Sequence, residues 1–172
     1  MIRISRRTVI YFIIFVVLQV LIMNNIRLFG FITPFIYIHV IIKMPLNINR
    51  MYSVIIGFLL GLTVDIFSNT FGMHAAAATF TGFMRLPLLK AMFDLREMPE
   101  DSIPSYNLFG FTKFAQYAFS LAVIHIVTLY LTEAFTLFEP LYMLVRISSG
   151  IILTCLLIFI IEAFNTGKSK SG

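Results

Sequence analysis

Apolar runs close to twenty residues long recur along this 172-residue chain, and they decide what it can fold into. A helix of about twenty residues rises roughly 30 Å, the thickness of a bilayer's hydrocarbon core. Hydrocarbon offers peptide N–H and C=O groups no partner, so each crossing must satisfy its own backbone. Composition agrees: 59% of the residues are hydrophobic and only 12% are charged. A soluble domain of those proportions would lack the polar surface to cover itself. One span with its connection takes roughly 25 to 30 residues, so about six fit, with little chain left for a soluble domain.

The chain therefore reads as a single polytopic, all-α integral membrane domain. Its bundle of six transmembrane helices is expected at about 8–23, 31–42, 51–68, 72–93, 111–138 and 141–164. The second is short and holds Pro34, so it either begins earlier, near Leu28, or is irregular where neighbouring helices shelter its backbone. Residues 94–110 form a connector in which Pro99 and Pro104 discourage one continuous helix. A solvated connector and a docking site for a cytoplasmic partner are both open for it.

Lysine and arginine near span ends favour the cytoplasm. Ten of them collect on one side: Arg3, Arg6, Arg7, Lys43, Arg50, Lys90, Arg96, Lys113, Lys168 and Lys170. The other side has Arg27 alone, which predicts both termini in the cytoplasm. The net charge of +5 is then a topology signal and no argument for nucleic-acid binding. The start of the chain resembles a signal peptide, but "MNNIRLFG" offers no small-residue cleavage site, and it reads as a retained first helix.

Ionisable groups inside a membrane cost at least a few kcal/mol and usually face the bundle interior. Here they are Asp65, Arg85, Glu133 and Arg146, with His39, His74 and His125. Asp65 falls about 5 Å from the outer end of the third helix at 1.5 Å per residue. His74 falls about half a turn into the fourth, and the tight link "NTFG" brings the two together. Glu133 and Arg146 reach a similar depth on the last two helices, so a polar cluster of Asp65, His74, Glu133 and Arg146 near the outer face is expected. Which acid Arg146 pairs with stays open. His39 and His125 read as hydrogen-bonded bundle residues, and His74 as a helix-terminal imidazole that the dipole favours in its neutral form. The histidines lie on three helices with no metal spacing, no nucleophile stands beside a base, and the single Cys155 in the last span reads as packing. No cofactor, metal or catalytic residue is expected.

On the third helix Ser53, Gly57, Gly61 and Ser68 share one broad face, and Asp65 continues it. Gly57 and Gly61 form a small-xxx-small pair that lets another helix approach closely. The fourth helix answers with Ala75 to Ala78 and Gly82. Gly57, Gly61, Asp65, Ser68, Gly72 and His74 should therefore pack and anchor a tight helical hairpin.

The order Pro34, Pro45, Arg50, Gly57-x3-Gly61-x3-Asp65-x2-Ser68, then Gly72 and His74 resembles the rod shape-determining MreD family of bacteria. The likeness is strongest over about residues 30–90; beyond it, hydropathy is the main feature shared, and the 94–110 connector is longer than the family's pattern. The resemblance implies a non-enzymatic, multi-pass scaffold of the inner membrane that controls cell shape and peptidoglycan synthesis. The implied partner is an MreC-like single-span protein and, through it, MreB, a SEDS glycosyltransferase and a class B penicillin-binding protein. It also implies a fold similar to the substrate-binding S-component subunits of energy-coupling-factor transporters. A small-solute, vitamin-type binding subunit is the alternative function.

Overall fold

The computed structural model describes residues 6–23, 33–99, 101–134 and 140–168. Every regular element among them is helical. Helix α1 (Arg6–Leu18) runs on into a π-helical turn, Gln19–Met23. Then come α2 (Ile38–Ile42), α3 (Arg50–Ser68) and α4 (Met73–Met92). After a 3-10 turn, Leu95–Glu97, the chain forms α5 (Tyr106–Phe109), α6 (Phe111–Ala134) and α7 (Pro140–Lys168). Among the described residues, three helical stretches are long and apolar enough to cross a membrane: Arg50–Ser68, Phe111–Glu133 and Leu141–Phe164.

The surface points the same way. Ile152, Leu156, Ile160 and Phe164 on α7, and Ile10, Ile13, Val17 and Leu21 on the first helical stretch, are exposed. Water would penalise such apolar stripes, whereas lipid solvates them. The buried interior holds the polar residues instead, among them Gln19, Thr81, Arg85, His125 and Glu162. That distribution suits a bundle solvated by hydrocarbon.

The most extensive helix pair is α3 with α4. Asn49 caps α3 by accepting from the Tyr52 amide at 3.0 Å. At the far end Asn69 and Gly72 take left-handed backbone angles, φ 54° and 79°, and reverse the chain into α4. The expected small-residue face is real and works on backbone. A methyl added at Gly57 would overlap the Ala78 carbonyl, and one at Gly61 would overlap His74 and Ala75. Gly82 answers from α4 by lying against the Ser53 carbonyl. α4 then packs on α6, and α6 on α7.

The second expected span takes the irregular form. Of 31–42, residues 31 and 32 lie outside the described set, 33–37 are non-helical, and five residues form α2. Its peptide groups are buried and find partners on other helices. The Gln19 amide donates to the Pro34 carbonyl at 3.1 Å and accepts from the Ile36 N–H at 2.9 Å. Thr154 on α7 accepts from the Phe35 N–H at 3.0 Å. At the end of α2, Arg85 donates Nε–H to the Ile41 carbonyl at 3.1 Å, and its Nη2 reaches the Met44 and Pro45 carbonyls. Borrowed side chains thus replace the water that such a break would otherwise need. The end of the fifth expected span, 135–138, lies outside the described residues; the third, fourth and sixth agree with α3, α4 and α7 to within a few residues.

Candidate functional site

Asp65 lies one turn from the end of α3 and is buried. Its Oδ1 accepts from the Thr70 hydroxyl at 2.5 Å and from the His74 amide at 3.1 Å; Oδ2 accepts from the Ala75 amide at 2.7 Å. Those two amides open α4, where no residue of the helix can serve them. The carboxylate therefore caps the following helix from the side and places its charge at the positive end of that helix dipole. Both oxygens are committed, and Asp65 makes no ion pair among the described residues.

Arg146 pairs with Glu133, Nη1 to Oε1 at 2.8 Å, with both side chains about a quarter exposed (23% and 24%). The guanidinium also lies over the Tyr130 ring, 4.6 Å from its centroid, and within 5.6 Å of Tyr142. These groups and the Asp65 cap meet at one cavity of about 420 Å³, whose walls include Thr70, His74, Tyr130, Glu133 and Arg146. The expected polar cluster of Asp65, His74, Glu133 and Arg146 is assembled, but its charges are not one network. Asp65 joins through Thr70 and backbone amides. Ser68 also lines this cavity, and Gly72 ends the turn below it.

From the cavity a hydrogen-bonded chain runs inward. His74 Nδ1 lies 3.0 Å from the Tyr37 hydroxyl, which lies 2.6 Å from His125 Nε2. His125 Nδ1 in turn lies 3.1 Å from Thr81 Oγ1. His125 is thus a hydrogen-bonded bundle residue, as expected, and His39 is not. His39 packs against Phe15 and Tyr11, and neither ring nitrogen has a hydrogen-bond partner among the described residues. The sequence offered no cue to Tyr37, because a tyrosine between isoleucines has the same apolar pattern as its neighbours.

A second ionic site at the opposite end was also not anticipated. Lys43, just below α2, donates to both Glu162 oxygens at 2.9 and 3.0 Å and to the Pro104 carbonyl at 2.7 Å. Both partners are buried, at 5% and 1% exposure. Leu46 N–H donates to the Ser102 carbonyl, Asn47 bonds Asp101, and Phe93 stacks on Phe109. The 94–110 connector is therefore clasped to the bundle rather than freely solvated. Burial, with the Glu162 charge adding to it, pushes the Tyr106 phenol above its ordinary pKa.

Chemically, the cavity's described walls offer a carboxylate, a guanidinium, an imidazole and hydroxyls, of which Thr70 is held by Asp65. No group of three or more His, Cys, Asp or Glu among the described residues is placed to hold a metal, and Cys155 is buried in α7. Compared with protein-family models, curated proteins and solved structures, the chain matches none.

Proposed function

We propose that this chain is an MreD-like membrane scaffold. In this reading it is a six-span, multi-pass protein of the bacterial inner membrane with both termini cytoplasmic and a fold of the S-component type. It acts without catalysis, holding the transmembrane segment of an MreC-like partner and, through it, MreB and the peptidoglycan-synthesising glycosyltransferase and transpeptidase. The observation that carries the reading is the commitment of Asp65. Both oxygens of the acid at the heart of the MreD-like pattern are spent in capping α4. An acid so placed stiffens a hairpin, and a rigid helix face is what a partner helix packs against. Ten basic groups on one side against Arg27 on the other support the orientation.

The test is purification of the tagged, full-length protein from its native membrane. An MreC-like single-span protein should accompany it, and depletion should turn rod-shaped cells round. Normal shape together with no such complex would refute the scaffold. One observation favours a second reading, a subunit that binds a small solute: the cavity of about 420 Å³ is within the size range of ligand sites. A bound solute released on denaturation, with an energising module in the complex, would establish that reading instead.

A further inference from the structure

The protons of the inward chain can be assigned from one fixed point. Thr81 Oγ1 lies 2.7 Å from the Ala77 carbonyl oxygen, which can only accept, so the hydroxyl proton points there. Thr81 Oγ1 then accepts from His125, which places that ring's proton on Nδ1. His125 is fully buried among the Tyr37 and Thr81 hydroxyls and the Ala77 backbone, with no charged partner among the described residues, an environment for the neutral ring. Its Nε2 therefore accepts from the Tyr37 hydroxyl, and the Tyr37 oxygen accepts from His74 Nδ1–H. This leaves His74 Nε2 as a bare acceptor with no partner among the described residues. The residue is only 8% exposed and lines the cavity.

Other groups of the cavity complement that acceptor. Glu133 lines the wall beside Arg146, and Asp65 stands behind Thr70 and His74 with both oxygens held by the Thr70 hydroxyl and the His74 and Ala75 amides. The Arg146 guanidinium, with its side chain 23% exposed, brings positive charge to the same wall. Val20, Met73 and Leu129 supply an apolar side. We propose that this cavity binds a primary ammonium a few atoms from a phosphate, the chemistry of an aminoethyl phosphate head group. The ammonium donates to His74 Nε2 and the Glu133 carboxylate, and a phosphate oxygen accepts from the partly exposed guanidinium of Arg146. Thr81, Tyr37 and His125 are positioning residues that hold His74 in the accepting tautomer. The proposal stands on the cavity and does not depend on the scaffold reading or on which membrane side the cavity faces.

The test is native mass spectrometry of the full-length protein with three probes: phosphatidylethanolamine, phosphatidylcholine and soluble phosphoethanolamine. Phosphatidylcholine carries the same charges but no N–H, so phosphatidylethanolamine should be retained at least tenfold more tightly. His74→Phe and Glu133→Gln should each abolish that preference. Soluble phosphoethanolamine bound as tightly as the lipid would support the site and make a free solute its ligand; retention of the lipid alone makes it a lipid site. Equal retention of the two lipids, or no retention of either ethanolamine probe, would overturn the proposal. A readout independent of variant folding is nitrogen NMR of histidine-labelled wild-type protein. It should show His74 protonated at Nδ1, and a proton on Nε2 would overturn the assignment. Loss of this site would leave the complex with an MreC-like partner intact.

Discussion

Asp65→Leu and Asp65→Asn should differ by a margin that the cap itself sets. Leucine removes all three acceptor contacts and leaves the His74 and Ala75 amides buried and unserved. At about 1–3 kcal/mol for each of the two orphaned donors, plus about 1 kcal/mol for the Thr70 bond, the loss comes to about 3–7 kcal/mol. Asparagine keeps one oxygen. Facing Oδ1, it still serves Thr70 and His74 and abandons only Ala75, together with the charge at the helix terminus, for about 1–3 kcal/mol. Equilibrium unfolding in detergent, followed by far-UV circular dichroism, should therefore place the leucine variant at least about 2 kcal/mol below the asparagine variant. Thr70→Val alone should cost about 1 kcal/mol and add almost nothing to Asp65→Leu, because both remove the same bond. Leucine and asparagine variants within about 0.5 kcal/mol of each other would refute the cap as a source of stability.

Two glycines of the same hairpin should fail for opposite reasons. Gly61→Ala drives a methyl into the backbone of His74 and Ala75, which no rotamer can relieve, so a loss of at least about 1–3 kcal/mol is expected in the same unfolding assay. Gly72→Ala meets no atom within 4 Å but must hold φ 79°, and should cost about 1–2 kcal/mol with helix packing unchanged. At the other end, Lys43→Met removes the buried ammonium that pairs with the Glu162 carboxylate and should cost about 3–5 kcal/mol. Replacing both partners, Lys43→Met with Glu162→Leu, should recover most of that loss, and a double variant no better than the single would show that the pair is not the cause.

The hairpin was legible because its determinants are local. Glycines spaced by four, an acid one turn further on and a Gly-ended turn all fall between Gly57 and His74, and near neighbours satisfy one another. Arg85, Lys43 and Glu162 were not legible for the opposite reason. Arg85 was visible as an ionisable group in an apolar run, but its acceptors are carbonyls forty and more residues away, and carbonyls leave no trace in a sequence. Lys43 had the same appearance as the other basic residues near span ends, while its partner lies 119 positions later. His39 shows how composition misleads: a histidine in an apolar run suggests a hydrogen bond, yet aromatic rings surround this one.

The broken second span also fixes an order of assembly. Only part of its backbone is satisfied by a side chain translated before it, Gln19 serving Pro34 and Ile36. The Phe35 amide depends on Thr154 and Lys43 depends on Glu162, each 119 residues downstream, while the carbonyls below α2 depend on Arg85. Until the last helix emerges from the ribosome, this stretch has no place in hydrocarbon that leaves its peptide groups paired. The early middle of the chain is thus the last part to reach its final state, and synthesis must end before the bundle can close.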